Sequence, residues 1–270
     1  MKELLKNKLT LFGATVVGIL ALSAIFAPLI APYDPGEVDI PSALLAPSSR
    51  HILGTDYLGR DVFSRMVYAS RISLSIGFVA VGVSVLIGMI IGSVAGYYGG
   101  KADAVLMRFV DIMLCFPSFF LMLAVVAILE PNIMNIMIVI GITSWMGVAR
   151  LIRAQILSLK EREFILAARA LGASDFRIIV FHLIPNAIAP VLVSAVLGIA
   201  AAILVESALS FLGLGVQPPT PSWGNILMEG KSSLGVCWWL MLFPGLAIFI
   251  TVLGYNLLGE GLREYFSPHK

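Results

Sequence analysis

An all-α membrane protein with six transmembrane helices and both chain ends in the cytoplasm is the fold class this sequence predicts, and three observations predict it. Of 270 residues, 59% are hydrophobic and 13% charged, against about 25% charged in an ordinary soluble domain. So much apolar surface cannot be hidden in one core, and lipid is the expected solvent for most of it. Six stretches, 9–30, 72–98, 105–129, 133–149, 186–206 and 238–259, approach the roughly 20 residues a helix needs to cross about 30 Å of hydrocarbon. Finally, the cations segregate. With the N-terminus in the cytoplasm, Lys2, Lys6, Lys8, Lys101, Arg108, Arg150, Arg153, Lys160, Arg162, Arg169, Arg177, Arg263 and Lys270 share that side, thirteen of the 18. Arg50, Arg60, Arg65, Arg71 and Lys231 remain opposite, and this bias sets an N-in, C-in orientation.

The elements follow in order. Residues 1–31 read as a cytoplasmic N-terminus and a first span. A basic start before an apolar run also suggests a cleaved leader, but a leader's apolar core is about 7–15 residues, shorter than this run. Residues 32–71 form an extracytoplasmic loop with an internal echo, LGTDY then LGRDV. Asp61 precedes Val62, Phe63, Met66 and Val67 in a helical pattern, which suits a cap followed by a short amphipathic surface helix. The other reading of Asp56 and Asp61 is contact with a cation or an external partner.

Residues 72–262 form the main membrane domain. Gly88, Gly92 and Gly96 lie in small-xxx-small spacing, which lets another backbone approach closely in lipid. Arg108 and Asp111, three residues apart near the cytoplasmic end of the third span, suggest a local ion pair. Pro117 marks a candidate kink and gate. An uncharged run from Leu183 to Val205 carries the fifth span about 30 Å from Pro185, so Glu206 is expected at the outer boundary. There it meets a cationic group outside the chain or holds the adjoining loop by hydrogen bonds. Residues 263–270 form a cytoplasmic tail.

Between the fourth and fifth spans, residues 161–184 change character. Phe164, Ala168 and Leu171 precede Gly172 at helical spacing, and Phe176, Ile179, Val180 and Leu183 make a second set. Gly172 suits a helix C-terminus, Ser174 can cap the next helix, and Pro185 fits the first turn of the fifth span. The stretch reads as helix, turn, helix. Apolar side chains on a cytoplasmic loop need a partner surface, either the membrane interface or another protein.

Other classes recede. A formal charge of +2 gives no case for nucleic acid. Cys115 and Cys237 sit in or beside apolar runs and suggest neither a disulfide framework nor a metal cluster. His51, His182 and His269 are scattered without ligand spacing, and no Ser/His/Asp or Cys/His set can be assigned. The sequence contains no GxxxxGK[ST] phosphate loop, so uphill transport would draw energy from another chain, and no enzymatic role is expected. A self-contained ion-driven transporter would place ionisable groups near the bilayer midplane, whereas Asp111 and Glu206 lie toward its edges.

The run Ala167-Ala168-Arg169-Ala170-Leu171-Gly172, followed by His182-Leu183-Ile184-Pro185-Asn186, resembles the EAA loop of ABC importer permeases, with Leu166 standing where the loop's name expects Glu. The stretches 53–61 (LGTDYLGRD), 71–74 (RISL), 206–215 (ESALSFLGLG) and 218–224 (PPTPSWG) are similar to the C-type permease of dipeptide and oligopeptide importers. Nickel importers share that permease type. The resemblance implies an inner-membrane subunit that forms a translocation path with a second permease. Two cytoplasmic ATPases, using ATP and Mg, would act below, and a binding protein would dock above through residues 32–71 and 211–236. The coupling residues carried over are Glu163, Ala167, Ala168, Arg169, Ala170, Leu171, Gly172, Ala173, Ser174 and Asp175. Asp56, Asp61, Asp111 and Glu206 are the candidates for the path or for extracytoplasmic contact.

Overall fold

The computed structural model describes residues 7–130, 132–231 and 235–266. Lys2, Lys6, Lys270 and His269, and part of the expected C-terminal tail, lie outside them. Helix α1, Lys8–Ile25, starts where the Asn7 side chain accepts from the Leu9 and Thr10 amides, satisfying donors that a helix start leaves open. The four-residue α2, Ala27–Ile30, follows with Pro28 in its first turn. After a loop comes α3, Val62–Tyr98, with Asp61 accepting from the Ser64 amide at 2.8 Å. The expected separate amphipathic helix is absent. No Pro or Gly occurs between Val62 and Ile76, so nothing breaks the hydrogen-bond ladder, and the surface helix and second span are one rod. At about 56 Å it is far longer than the roughly 30 Å of hydrocarbon.

The third and fourth spans are broken ones. Helices α4, Gly100–Cys115, and α5, Ser118–Ile128, meet at 82° across Pro117, which lacks the N–H that would continue the ladder. Helices α6, Ile133–Ile142, and α7, Met146–Leu159, bend by 42°. The hydropathy reading ends the fourth span at residue 149, where the arginines begin, but α7 runs on because Arg150 and Arg153 find carboxylates on α4. Two short helices follow, α8 (Glu163–Ala170) and α9 (Asp175–Arg177). A π-helical segment, Ile178–Leu183, then feeds α10, Ile184–Phe211, without a break. Pro185 lies in the first turn of α10, as the sequence predicts, but no break precedes it: the helical path is continuous from Asp175 to Phe211, the wider π turn upstream leading into the proline. Helices α11, Trp223–Lys231, and α12, Trp239–Phe266, complete the chain. Among the described residues, four helices are long and apolar enough to cross a membrane, and up to six spans result if each bent pair counts as one. The described residues contain no β-strand, only an isolated bridge between Thr55 and Asp61.

Helix α3 is the central post. A Cβ added at Gly88 would lie 2.6 Å from Val148 Cβ, and one at Gly96 would lie 3.0 Å from the Arg153 carbonyl oxygen; at Gly92 it would strike the Ala149 carbonyl. The glycine stripe thus sets how closely α3 and α7 approach, as the spacing predicts. Helices α1 and α12 are antiparallel, with Asn7 Nδ2 donating to Glu264 at 2.8 Å. The end of α1 meets the start of α3 around Ala24, Leu74 and Phe78. Both described chain ends and the foot of α3 therefore share one end of the bundle. At the other end, the loop before α3 and the first turns of α3 are tied to the last helices: Trp239 Nε1 donates to the Thr55 carbonyl at 3.1 Å, and Trp223 Nε1 to that of Met66 in α3 at 3.2 Å.

Candidate functional site

The segment between α7 and α10 sits at the end of the bundle that carries the chain ends. Helix α8 stops as the sequence predicts. Gly172 takes φ +80°, the Ala173 amide donates to the Ala168 carbonyl at 3.1 Å and the Gly172 amide to Arg169 at 3.0 Å, a Schellman-type closure in which a left-handed glycine satisfies the last carbonyls. Ser174 then accepts from the Arg177 amide at 3.4 Å. The apolar residues read off the sequence divide between an inner seat and the surface. Ile165, Ile178 and Leu183 are fully buried against Ile152 and Ile156 of α7, whereas Phe164 and Leu166 are exposed, as are Leu171 at 88% and Phe176 at 72%. Ile165 pairs with Ala168 at i, i+3, a signal the sequence contains but which the larger Phe164 and Leu171 mask.

The outcome is a rigid seat beneath an apolar crest. Glu163, Ala167, Arg169, Ala170, Gly172, Ser174 and Asp175 are exposed around that crest, and Ala168 and Ala173 are half-buried. Beside it, an open recess of about 550 Å³ is lined by Leu159, Glu161, Arg162, Glu163 and Phe164. At the foot of α3, Tyr97 Oη donates to Asp175 Oδ1 at 2.6 Å, and the Arg169 guanidinium donates to Tyr97 Oη at 3.4 Å.

At the opposite end, Asp56 and Asp61 face into the chain. Asp56 is fully buried. Its Oδ2 accepts from Arg60 Nε at 2.7 Å and also from Arg65, while its Oδ1 accepts from the Leu58 and Arg60 amides at 2.8 and 3.0 Å. Both guanidiniums reach Glu229 of α11, Arg60 at 3.1 Å and Arg65 Nη2 at 2.9 Å. Two carboxylates and two guanidiniums thereby form a neutral buried cluster joining the first loop, α3 and α11. The expectation for Asp56 did not include Glu229. A signal was available, since Glu229 is the sole carboxylate between Glu206 and Glu260, on the side where Arg60 and Arg65 await partners. Asp61, besides capping α3, accepts from Ser64 Oγ at 2.8 Å and lies 3.0 Å from His51 Nδ1.

Glu206 is fully buried near the end of α10, its Oε1 accepting from Ser210 Oγ at 2.7 Å and Ser222 Oγ at 2.9 Å. Of the two readings left open for it, this geometry is that of a carboxylate holding the adjoining loop. The expected Arg108–Asp111 pair is not formed. Asp111 instead pairs with Arg150 at 2.5 Å, because successive turns of α4 and α7 lie side by side, and Arg153 grips Asp103 in a bidentate pair of 2.5 and 2.6 Å. Cys115 and Cys237 are free thiols. Among the described residues, no cluster of three His, Cys, Asp or Glu that could hold a metal ion is found. Sequence reasoning missed a cavity of about 210 Å³ between α3, α6, α7 and α10, whose polar lining is Ser84, Ser144 and Ser194 among small apolar residues.

These features match known proteins. Residues 88–270 fit the family described as binding-protein-dependent transport system inner membrane component, and residues 1–47 fit the N-terminal TM domain of oligopeptide transport permease C. The dipeptide transport system permease protein DppC of Alkalihalophilus pseudofirmus is 45% identical, covering 99% of this chain and 88% of the relative. The di/tripeptide transport system permease protein DppC of Pseudomonas aeruginosa is 41% identical, covering 97% and 88%. The nickel transport system permease protein NikC of Escherichia coli is 39% identical, covering 94% and 92%. Among solved structures, the inward-facing MetNI methionine ABC transporter shares the fold with a TM-score of 0.60 at 17% identity, covering 76% of this chain and 98% of that one. With a family match over most of its length and relatives of this identity spanning nearly all of it, the chain belongs to the binding-protein-dependent transport system inner membrane components, the membrane-embedded permeases of bacterial ABC importers.

Proposed function

We propose that this permease carries dipeptides or oligopeptides inward, forming the path with a second permease, driven by two cytoplasmic ATPases and fed by an extracytoplasmic binding protein. The observation that carries the reading is the crest of residues 163–176: large apolar side chains held up to solvent on a buried seat, at the end of the bundle that gathers both chain ends. The charge bias of the sequence supports a cytoplasmic position for that end. An exposed apolar patch on a rigid support is a docking surface, and the absence of a phosphate loop in the sequence leaves the energy to the docked chain. Peptide cargo is supported by the names of the more similar relatives.

Energy enters as a shift between arrangements. A nucleotide can move an equilibrium only by its differential affinity for the two states, so closure of the ATPases must favour one position of residues 161–184. From there the unbroken path through α9, the π segment and α10 carries displacement into the membrane. At the outer end, the loop before α3 and α11 are bound by the buried cluster into one platform for the binding protein; residues 232–234 of the expected docking region lie outside the described residues.

The experiment is co-purification of this chain with its genomic neighbours, followed by uptake of a labelled dipeptide into proteoliposomes under ATP. Uptake that requires all partners is the expected result. Accumulation by this chain alone overturns it. The nickel relative supplies a second cargo reading, and titration of the soluble binding protein with dialanine and with nickel decides between the two.

A further inference from the structure

We infer that Tyr97 is the residue through which the cytoplasmic segment acts on α3, giving the permease a second mechanical route besides the covalent one into α10. The inference rests on the coupling role proposed above. Three observations carry it. First, the Tyr97 hydroxyl bridges two parts of the segment at once, donating to Asp175 at the start of α9 and receiving Arg169 from α8, whose guanidinium also lies 5.7 Å from the ring centroid. Tyr97 itself is 8% exposed and belongs to the apolar seat formed by Ile165, Ile178 and Leu183. The joint is thus partly shielded from water, where a hydrogen bond to a carboxylate is stronger than one in solvent.

Second, α3 is a single helix from this joint to the opposite end. Arg65, fully buried in the cluster with Asp56 and Glu229, stands roughly 48 Å of helix away. A displacement imposed at Tyr97 therefore reaches the first loop and α11 without crossing a flexible connection. Third, the alternative covalent route passes at once through the π-helical segment Ile178–Leu183. Such wider turns are rare interruptions of the regular ladder, often found at functional sites, and this one is the point on the route where part of a movement is taken up. The segment's motion is accordingly divided: α10 follows through a yielding element, and α3 follows through side chains. Tyr97 is a positioning residue in this division and touches no cargo.

The test uses the complete complex with both ATPases. Spin labels are placed at Ile52→Cys, an exposed site on the first loop, and on the outer face of the companion permease, and their separation is read before and after trapping with ATP and vanadate. Tyr97→Phe keeps the ring and removes only the bridging hydroxyl. The expected result is that the ATPases still co-purify and hydrolyse ATP at the basal rate, while the trapping-induced change in separation falls to less than half. The Tyr97→Phe/Asp175→Ala double variant is expected to lose no more of that change than Tyr97→Phe alone, because the loss of the hydroxyl already removes the bond that Asp175 accepts. An undiminished change in Tyr97→Phe overturns the inference, as does additive loss in the double variant. Loss of the ATPases from Tyr97→Phe also overturns it, since the hydroxyl would then seat the segment and transmit nothing. Failure of the unsubstituted chain to retain ATPases defeats the coupling reading instead.

Discussion

Arg65 and Glu229, 164 residues apart in sequence, meet side by side at the end of the bundle opposite the foot of α3, with Arg65 Nη2 2.9 Å from Glu229 Oε1 and Nη1 on Oε2. Arg65 is 1% exposed, so neither member can exchange its partner for water. The balance of charge in the cluster is therefore what permits the burial.

Removing one carboxylate upsets that balance. Glu229→Ala leaves two buried guanidiniums with Asp56 alone, and the loss expected for breaking a buried pair is about 3–5 kcal/mol. Thermal unfolding of the purified complex should show a large fall in midpoint. Glu260→Ala, which removes an exposed pair with Arg263 at 3.6 Å, serves as the comparison and should leave the midpoint unchanged. Equal behaviour of the two variants would mean that the cluster is solvated.

The α3–α7 contact gives an independent prediction. Gly92→Ala points its methyl at the Ala149 carbonyl, backbone against backbone, where no side chain can turn aside. Overpacking of this kind costs about 1–3 kcal/mol. Gly82→Ala, at a position with open space around it on the same helix, should cost nothing or add helix stability. Detergent melting curves of the two variants separate close approach from helix propensity.

Sequence patterning had unequal reach across these features. The spans were legible because hydropathy is a local property, and the end of α8 was legible because Gly172 and Ser174 act on their immediate neighbours. The position of the Pro117 break was legible too, but its 82° angle depends on what α5 packs against. Partners of the charges were not legible. Arg108 is three residues from Asp111, yet Arg150 takes that carboxylate, since the choice rests on how α4 lies along α7. The same limit hid Glu229 behind a loop and α11.

Glu206 allows its two readings to be separated by charge and shape. Glu206→Gln keeps an oxygen able to accept from Ser210 and Ser222, so a loop-holding role predicts near-normal assembly and uptake. Glu206→Leu strands both hydroxyls in a buried site at a cost of about 1–3 kcal/mol each, and should expose the 213–222 loop to protease. If Glu206→Gln instead lowers dipeptide uptake while assembly and protease resistance stay intact, the carboxylate charge meets cargo and the loop-holding account fails.

The crest of residues 163–176 makes the sharpest division between folding and docking, because adjacent positions face opposite ways. Leu171 is 88% exposed and Phe176 72% exposed, so a carboxylate at either one buries no charge and should leave the melting of the isolated permease unchanged. Ile165 is fully buried against α7 and the π segment, and Ile165→Asp would place an unpaired charge in the seat, which should abolish folding. Against the ATPases the order reverses in kind. Leu171→Asp and Phe176→Asp should each lower co-purification at least tenfold, the consequence of losing about 1.4 kcal/mol or more of contact. Binding that survives both substitutions would mean that the crest lies against lipid headgroups. The same variants would then weaken flotation with liposomes while leaving the ATPases attached.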